Sequence, residues 1–359
     1  MVNDYKHNIE AILRAYYIKY DRLLELNKVV ISNTNIQNPD HIDIYIDLYD
    51  MLKTVYTVDV YANNRLSICS SVINLVAHIR GYYMTRHRLW TRIFVVYGED
   101  TADNHRRFYQ DFGDDHRDKS IKYDSIKEFI NSQLELVKIL CAYINEVYFV
   151  HKKTDFSLFT YDNILKNKDS ISIIFTRSKY VNQIPALLNN VYIFRPKKSK
   201  DNGASVDLSY VVYYNNAIMT HYMKSPSVLD KLKYINPNML SLFLTINGCS
   251  DKHVTPLINI SRTTNIIIDA INSNRILNGY NSDMNYVYSN VLAPNNINID
   301  IVSFINRFKA IDIPYQNIIY QSQVESKDYT WFIDLNDPNT VRTINNQYFI
   351  DNPLDLNNL

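Results

Sequence analysis

Four acidic residues stand at the edges of apolar segments in this chain. Asp47 closes IDIYID (42–47), Glu99 follows RIFVVYG (92–98), Asp155 opens the helix-like FSLFTYDNIL, and Asp251 follows the run LFLTINGCS (242–250). If those segments neighbour one another in a parallel sheet, the carboxylates converge outside the carboxyl ends of the strands, where open α/β sheets bind ligands. Mg²⁺ and other hard cations take oxygen ligands. Two of them held ~3.5–4 Å apart stabilise both the attacking and the leaving oxygen of a displacement at phosphorus. Other strand ends carry Gly98, Ser178, Tyr180 and Cys249. None of these supplies the anionic oxygen that a hard cation needs.

Basic residues form the second feature. Arg65, Arg80, Arg86, Arg88, Arg92, Arg106, Arg107 and Arg117 fall within 65–117 and make up half of the arginines in the chain. Arg88, Trp90 and Arg92 sit together, as do Arg106, Arg107, Phe108 and Tyr109. Guanidinium groups bind phosphates bidentately and aromatic rings stack on unpaired bases. A plainer reading pairs these arginines with Asp100, Asp103, Asp111, Asp114 and Asp115 in a neutral surface. The acids have plain readings too. A buried Asp47 needs a partner, which an arginine satisfies as well as a metal. Asp155 suits the N-cap of a helix, Glu99 a solvated loop, and Cys249 a buried thiol.

The elements that would position these groups follow from apolar patterning. IDIYIDLYDML reads as a buried strand running into a helix from about Tyr49, and 66–90 as a strong helix. RIFVVYG is a second buried strand, which a helix over 123–148 and another over 156–166 separate from SIIFTR (172–177). VYIFRP (191–196) and LSYVVYY (208–214) are further strands, followed by helices separated by Pro226, Pro237 and Pro256. Strand, helix, strand order argues for parallel neighbours, because these need a crossover. The expected fold is a three-layer α/β domain with a mainly parallel central sheet. Its parts are an N-terminal helical extension (1–40), the core (41–245), a helical segment (246–310) and an irregular C-terminal extension (311–359).

In their order and spacing these segments resemble the flap endonuclease and 5′→3′ exonuclease family, a branch of the PIN-like nuclease fold. IDLYDMLKTVY is similar to that family's first strand with its metal-binding Asp. VVYGEDTADNHRRFYQDFGDDHR resembles the second strand and the segment leading into a helical arch, which in that family meets the 5′ end of single-stranded DNA. TDFSLFTYDNIL resembles the Glu-Ala-Asp-Asp helix start, with Asp155 for the Glu and Ser157 for the first Asp. FTRSKYVNQI resembles the Ser/Thr-x-Asp-x-Asp-x-x-Gln strand end; Thr176 and Gln183 match, while Ser178 and Tyr180 replace both acids. NGCSDKHVTPLINISRTTNIIIDAI resembles the Gly-Asp-x-x-Asp stretch and the helix-turn-helix that grips duplex DNA. There Gly248 is kept, Cys249 replaces an acid, and Asn259-Ile260-Ser261 stands for the hairpin's Gly-x-Gly. The resemblance covers roughly residues 42–271.

The resemblance implies a 5′-nuclease scaffold from which most metal ligands are gone. The expected protein is catalytically impaired, needs no cofactor, and binds DNA through Arg86, Arg88, Arg92, Arg106, Arg107 and Arg117, or binds a viral replication or virion partner. Two alternatives stay open. One is an active flap endonuclease holding Mg²⁺ or Mn²⁺ with Asp47, Glu99, Asp155 and Asp251. The other is a structural or assembly protein using the fold as a scaffold. With 38 basic and 37 acidic residues, overall charge favours no partner. Thirty tyrosines against six glycines, with many Asn, Ile and Lys, suggest an AT-rich and plausibly viral or phage genome. Three widely spaced cysteines argue for reduced thiols over disulfides or zinc. No apolar run approaches the ~20 residues of a membrane span, so no membrane partner and a location in host cytoplasm or virion are expected.

Overall fold

The computed structural model describes residues 41–50, 90–98, 147–152, 155–197, 209–213, 230–252 and 254–323, with a few isolated helical residues before and between them. A six-stranded sheet runs in the order β3-β2-β1-β4-β5-β6. Its strands are β1 (His41–Asp47), β2 (Trp90–Gly98), β3 (Val147–Lys152), β4 (Ile171–Phe175), β5 (Val191–Lys197) and β6 (Ser209–Tyr213). The first five are mutually parallel and β6 runs antiparallel to β5. The chain moves outward from β1 to β3, then returns to the other side of β1 with β4 and β5. This reversal opens a crevice between the carboxyl ends of β1 and β4.

Alternation explains why β1 reads as an apolar run. Ile42, Ile44 and Ile46 point to one face and Asp43, Tyr45 and Asp47 to the other, and all six are buried. A sheet covered on both faces demands this. On the second face Tyr45 stacks on Phe94 at 5.1 Å, and Phe94 on Tyr148 at 5.3 Å, an aromatic ladder across β1, β2 and β3. Tyr45 also donates to Asn163 in α1 (Phe156–Lys166), which packs over this face. The same core continues into α2 (Gln183–Leu187), α3 (Leu240–Asn247), α4 (Ile260–Asn272), α5 (Met284–Val287), α6 (Ile301–Ile311) and α7 (Ile313–Gln323) through Phe243, Ile267 and Phe304. The opposite face is covered too, since Tyr97 reaches the helical Asn131.

The expected three-layer α/β architecture with a mainly parallel sheet is present, with three differences in detail. The run LFLTIN, read with the strand-like segments, forms α3; a short, wholly apolar run lacks the periodicity that separates a buried helix from a buried strand. Residues 147–152 form β3, a strand outside the expected elements, whose first two residues the apolar pattern assigns to the end of the helix over 123–148. Their aromatic and β-branched pattern, VYFVHK, is the signal that separates them from the helix before. Within 311–359, expected to be irregular, residues 313–323 form α7, which packs against α1. The arch-like segment after β2 lies outside the described residues.

At the amino end of the sheet Asp43 is fully buried, and Arg92 in β2 grips both of its oxygens, at 2.7 and 2.8 Å. Ser170 donates to the same carboxylate and Asn167 accepts from Arg92. Removing one partner leaves a buried charge uncompensated, whereas replacing both with apolar groups does not. Arg92→Ala is therefore expected to cost ~3 kcal/mol in urea unfolding, and Asp43→Leu with Arg92→Met clearly less than that single change.

Candidate functional site

Asp47 ends β1 where the chain turns directly into a helical segment, and its Oδ1 accepts from the Asp50 amide at 3.2 Å. Thr176, just past the end of β4, places its hydroxyl 3.0 Å from Asp47 Oδ2 and 3.0 Å from Asp50 Oδ2. That hydroxyl also accepts from the Ser178 amide, and Asp50 accepts from the Arg177 amide. A threonine hydroxyl has a single proton to give. The cluster is fully bonded when one of the two carboxyls carries a proton and donates back to Thr176. Electrostatics agree: burial first, and then the Asp50 charge, push the Asp47 carboxyl well above the ordinary range.

Asp155 is the N-cap of α1 and accepts from the amide and the hydroxyl of Ser157. Its other oxygen receives the Lys252 ammonium at 2.5 Å. Burial alone would raise this carboxyl, but the Lys252 charge and the bonds from Lys252 and Ser157 outweigh it and hold the group below its ordinary value. Asp251 takes the Ser178 hydroxyl at 2.5 Å and the Tyr180 amide at 3.2 Å on one oxygen. Asp47, Asp155, Ser157, Ser178, Tyr180 and Asp251 line one pocket.

The turn that delivers Asp251 and Lys252 is built by Gly248 and the residues after it. Gly248 has φ +85°, and a Cβ there would lie 2.6 Å from the Pro256 nitrogen and 2.7 Å from the Val254 oxygen. Cys249 and Val254 then close a bridge with bonds of 2.7 and 3.0 Å. Cys249 is buried, and burial raises its thiol far above the ordinary value. Asn259 caps α4 by accepting from the Arg262 amide with its own side chain. Gln183, which matched the expected motif, is buried away from the carboxylates; it donates to the Ile311 carbonyl and accepts from Ser241, joining the C-terminal helices to the sheet side.

The sheet and its loops thus bring three expected acids, Asp47, Asp155 and Asp251, to one place. Gly98 is the last residue of β2. Arg92, expected to contact phosphate, lies near the opposite end of the sheet and is held by Asp43. Glu99, Arg86, Arg88, Arg106, Arg107 and Arg117 lie outside the described residues. Sequence reasoning missed Asp50 and Lys252. A carboxylate one turn after Asp47, and a lysine directly following Asp251, were their only signals.

For a pair of divalent ions the donor set does not fit. Each side-chain oxygen of Asp47 and Asp155 is already engaged in a hydrogen bond or ion pair with a protein group. Positions 178 and 180, where the resemblance expects acids, hold serine and tyrosine, and the Lys252 ammonium occupies one oxygen of Asp155. Among the described residues, no group of three His, Cys, Asp or Glu side chains is arranged to hold a metal.

Fold and site together define a three-layer α/β domain with a carboxylate crevice at its strand switch point. No family model matches the sequence, and a search of curated proteins finds no match. Among solved structures the chain is similar to a pseudo-enzyme form of a bacteriophage T5 flap endonuclease in complex with product DNA and metal ions. Identity is 11%, the TM-score is 0.47, and the match covers 78% of this chain and 92% of that one.

Two predictions follow from this geometry. A carboxyl whose folded-state value exceeds its unfolded value makes the native state bind an extra proton. The stability it contributes is complete below about pH 4 and is lost as pH rises toward the folded value. In thermal unfolding, Asp47→Asn minus wild type should therefore widen in favour of Asn as pH rises above about 4; a flat difference counts against the proton assignment. Gly248→Ala meets both a left-handed backbone and two backbone atoms, so a loss of ~2 kcal/mol or more is expected in denaturant unfolding.

Proposed function

We propose that this protein is a nuclease-like, nucleic-acid-binding protein that holds DNA without cutting it. The observation that carries the reading is the state of the crevice: Asp47, Asp155 and Asp251 are each taken up by protein donors rather than left to face a common cation. The resemblance to 5′-nucleases across residues 42–271 and the arginine-rich stretch 86–117 support DNA as the ligand, with guanidinium groups gripping phosphates and neighbouring aromatics stacking on unpaired bases. No divalent cofactor takes part. A composition rich in Asn, Ile, Lys and Tyr supports a viral replication or virion setting.

A second reading has its own support. Tyr234, Leu277, Val302 and Ile318 are exposed on the helical part by 71%, 81%, 63% and 68%. Large apolar side chains there suit a protein partner, for which the fold is a scaffold. Among the described residues no helix is long and apolar enough to cross a membrane.

The test combines cleavage with binding. Incubated with 5′-flapped and 5′-tailed duplexes in Mg²⁺ or Mn²⁺, the purified chain is expected to leave the DNA intact yet bind it. Affinity should fall steeply with salt, and Arg106→Ala with Arg107→Ala should weaken it and reduce the log–log salt slope by about 2. Cleavage that Asp47→Ala abolishes overturns the reading, and absence of binding at low salt favours the scaffold role.

A further inference from the structure

We propose that the ammonium group of Lys252 is a built-in cation that takes the place of a divalent ion in this crevice, so that the crevice accepts a divalent ion only when that lysine is neutralised. The inference rests on the reading of the site given above and assigns its third component. Lys252 Nζ lies 2.5 Å from Asp155 Oδ2, and the two side chains are only 11% and 9% exposed. The same nitrogen sits 4.5 Å from the centroid of the Tyr180 ring. Tyr180 and Asp155 line one pocket with Asp47 and Asp251. The ammonium is thus held by two of the side chains that line the crevice, a carboxylate and a ring face.

Neither contact is incidental. A lysine head withdrawn from water needs a countercharge or a π face, and here it has both. Tyr180 stands where the resemblance expects an acid, and its ring gives a monovalent cation a surface that offers nothing to Mg²⁺, which demands oxygen. Ser178, at the other expected acid position, donates its hydroxyl to Asp251. That bond and the Tyr180 amide pin the turn carrying Lys252, which the Cys249–Val254 bridge closes from behind. Ser178, Tyr180 and Lys252 therefore form one arrangement: two replace metal ligands, and the third supplies the positive charge those ligands once required. Tethering adds to the advantage, since an ammonium on the same chain is present at high effective concentration and an ion from solution has to displace it.

The test is Mn²⁺ binding to the full chain by calorimetry and electron paramagnetic resonance, with Tm read in parallel. Wild type is expected to show no saturable crevice binding. Lys252→Met should bind one Mn²⁺ saturably, roughly tenfold or more above any weak association of wild type, and Mn²⁺ should raise its Tm while leaving that of wild type in place. Lys252→Gln, which keeps a donor for Asp155 without charge, should show the same gain and serves if the Met variant does not fold. Lys252→Met with Asp155→Asn should lose it. Wild type binding Mn²⁺ as tightly as the lysine variants, or folded lysine variants that bind none, would overturn the proposal. Flap cleavage by wild type would instead defeat the functional reading, so the two failures are told apart.

Discussion

A carboxylate withdrawn from water must be given a proton, a hydrogen-bond donor or a cation, and this chain buries several of them on one side of its sheet. Each is settled differently. Asp43 has the bidentate guanidinium of Arg92. Asp47 shares the Thr176 hydroxyl with Asp50. Asp155 combines a helix N-terminus with the Lys252 ammonium, and the half-buried Asp251 has the Ser178 hydroxyl and the Tyr180 amide. Because the partners come from β2, the β4 exit, α1 and the turn after α3, these pairings also lock the layers together. The crevice is a structural junction before it is anything else.

Much of the architecture was legible because its signals are local. β1, β2, β4 and β5 are continuous apolar runs, as a sheet buried on both faces requires, and the strand-helix alternation implied parallel neighbours. The convergence of Asp47, Asp155 and Asp251 followed from one rule, that strand ends of a parallel sheet open on a common crevice. Two things were not legible. The helix LFLTIN carries no periodicity, because buried helices and buried strands share an all-apolar pattern. The partners of each acid were hidden for a different reason: Thr176 and Asp50 are 126 residues apart, and Lys252 and Asp155 are 97 apart. Such pairings are set by how the layers dock, which local spacing does not encode.

A crevice that keeps Asp47, Asp155 and Asp251 without a countercharge would be self-repelling, and each unpaired buried group would cost several kcal/mol. What stands here is balanced instead. Asp47 and Asp50 share the Thr176 hydroxyl, with burial favouring the neutral form of Asp47, Asp155 holds an ammonium, and Asp251 is bonded by a hydroxyl and an amide. Serine and tyrosine at 178 and 180 are read from the sequence as missing acids. In the folded chain they are a donor and a π surface, each matched to a neighbour that arrived from the other end of the domain.

The balance bears on how the domain folds. Where a site is a cage of carboxylates, its assembly is linked to metal, and binding energy becomes folding energy. Here the hydrogen bonds and the Lys252 ion pair that close the crevice all come from within the chain. The helices that follow the Gly248 turn then dock on the sheet through the same contacts that neutralise the acids: Lys252 to Asp155, and Asp251 to the β4 exit. Gln183 adds a neutral bond between the same two regions, to the Ile311 carbonyl and the Ser241 hydroxyl. The sheet and the helices after the Gly248 turn are in this way joined at the carboxylate crevice itself.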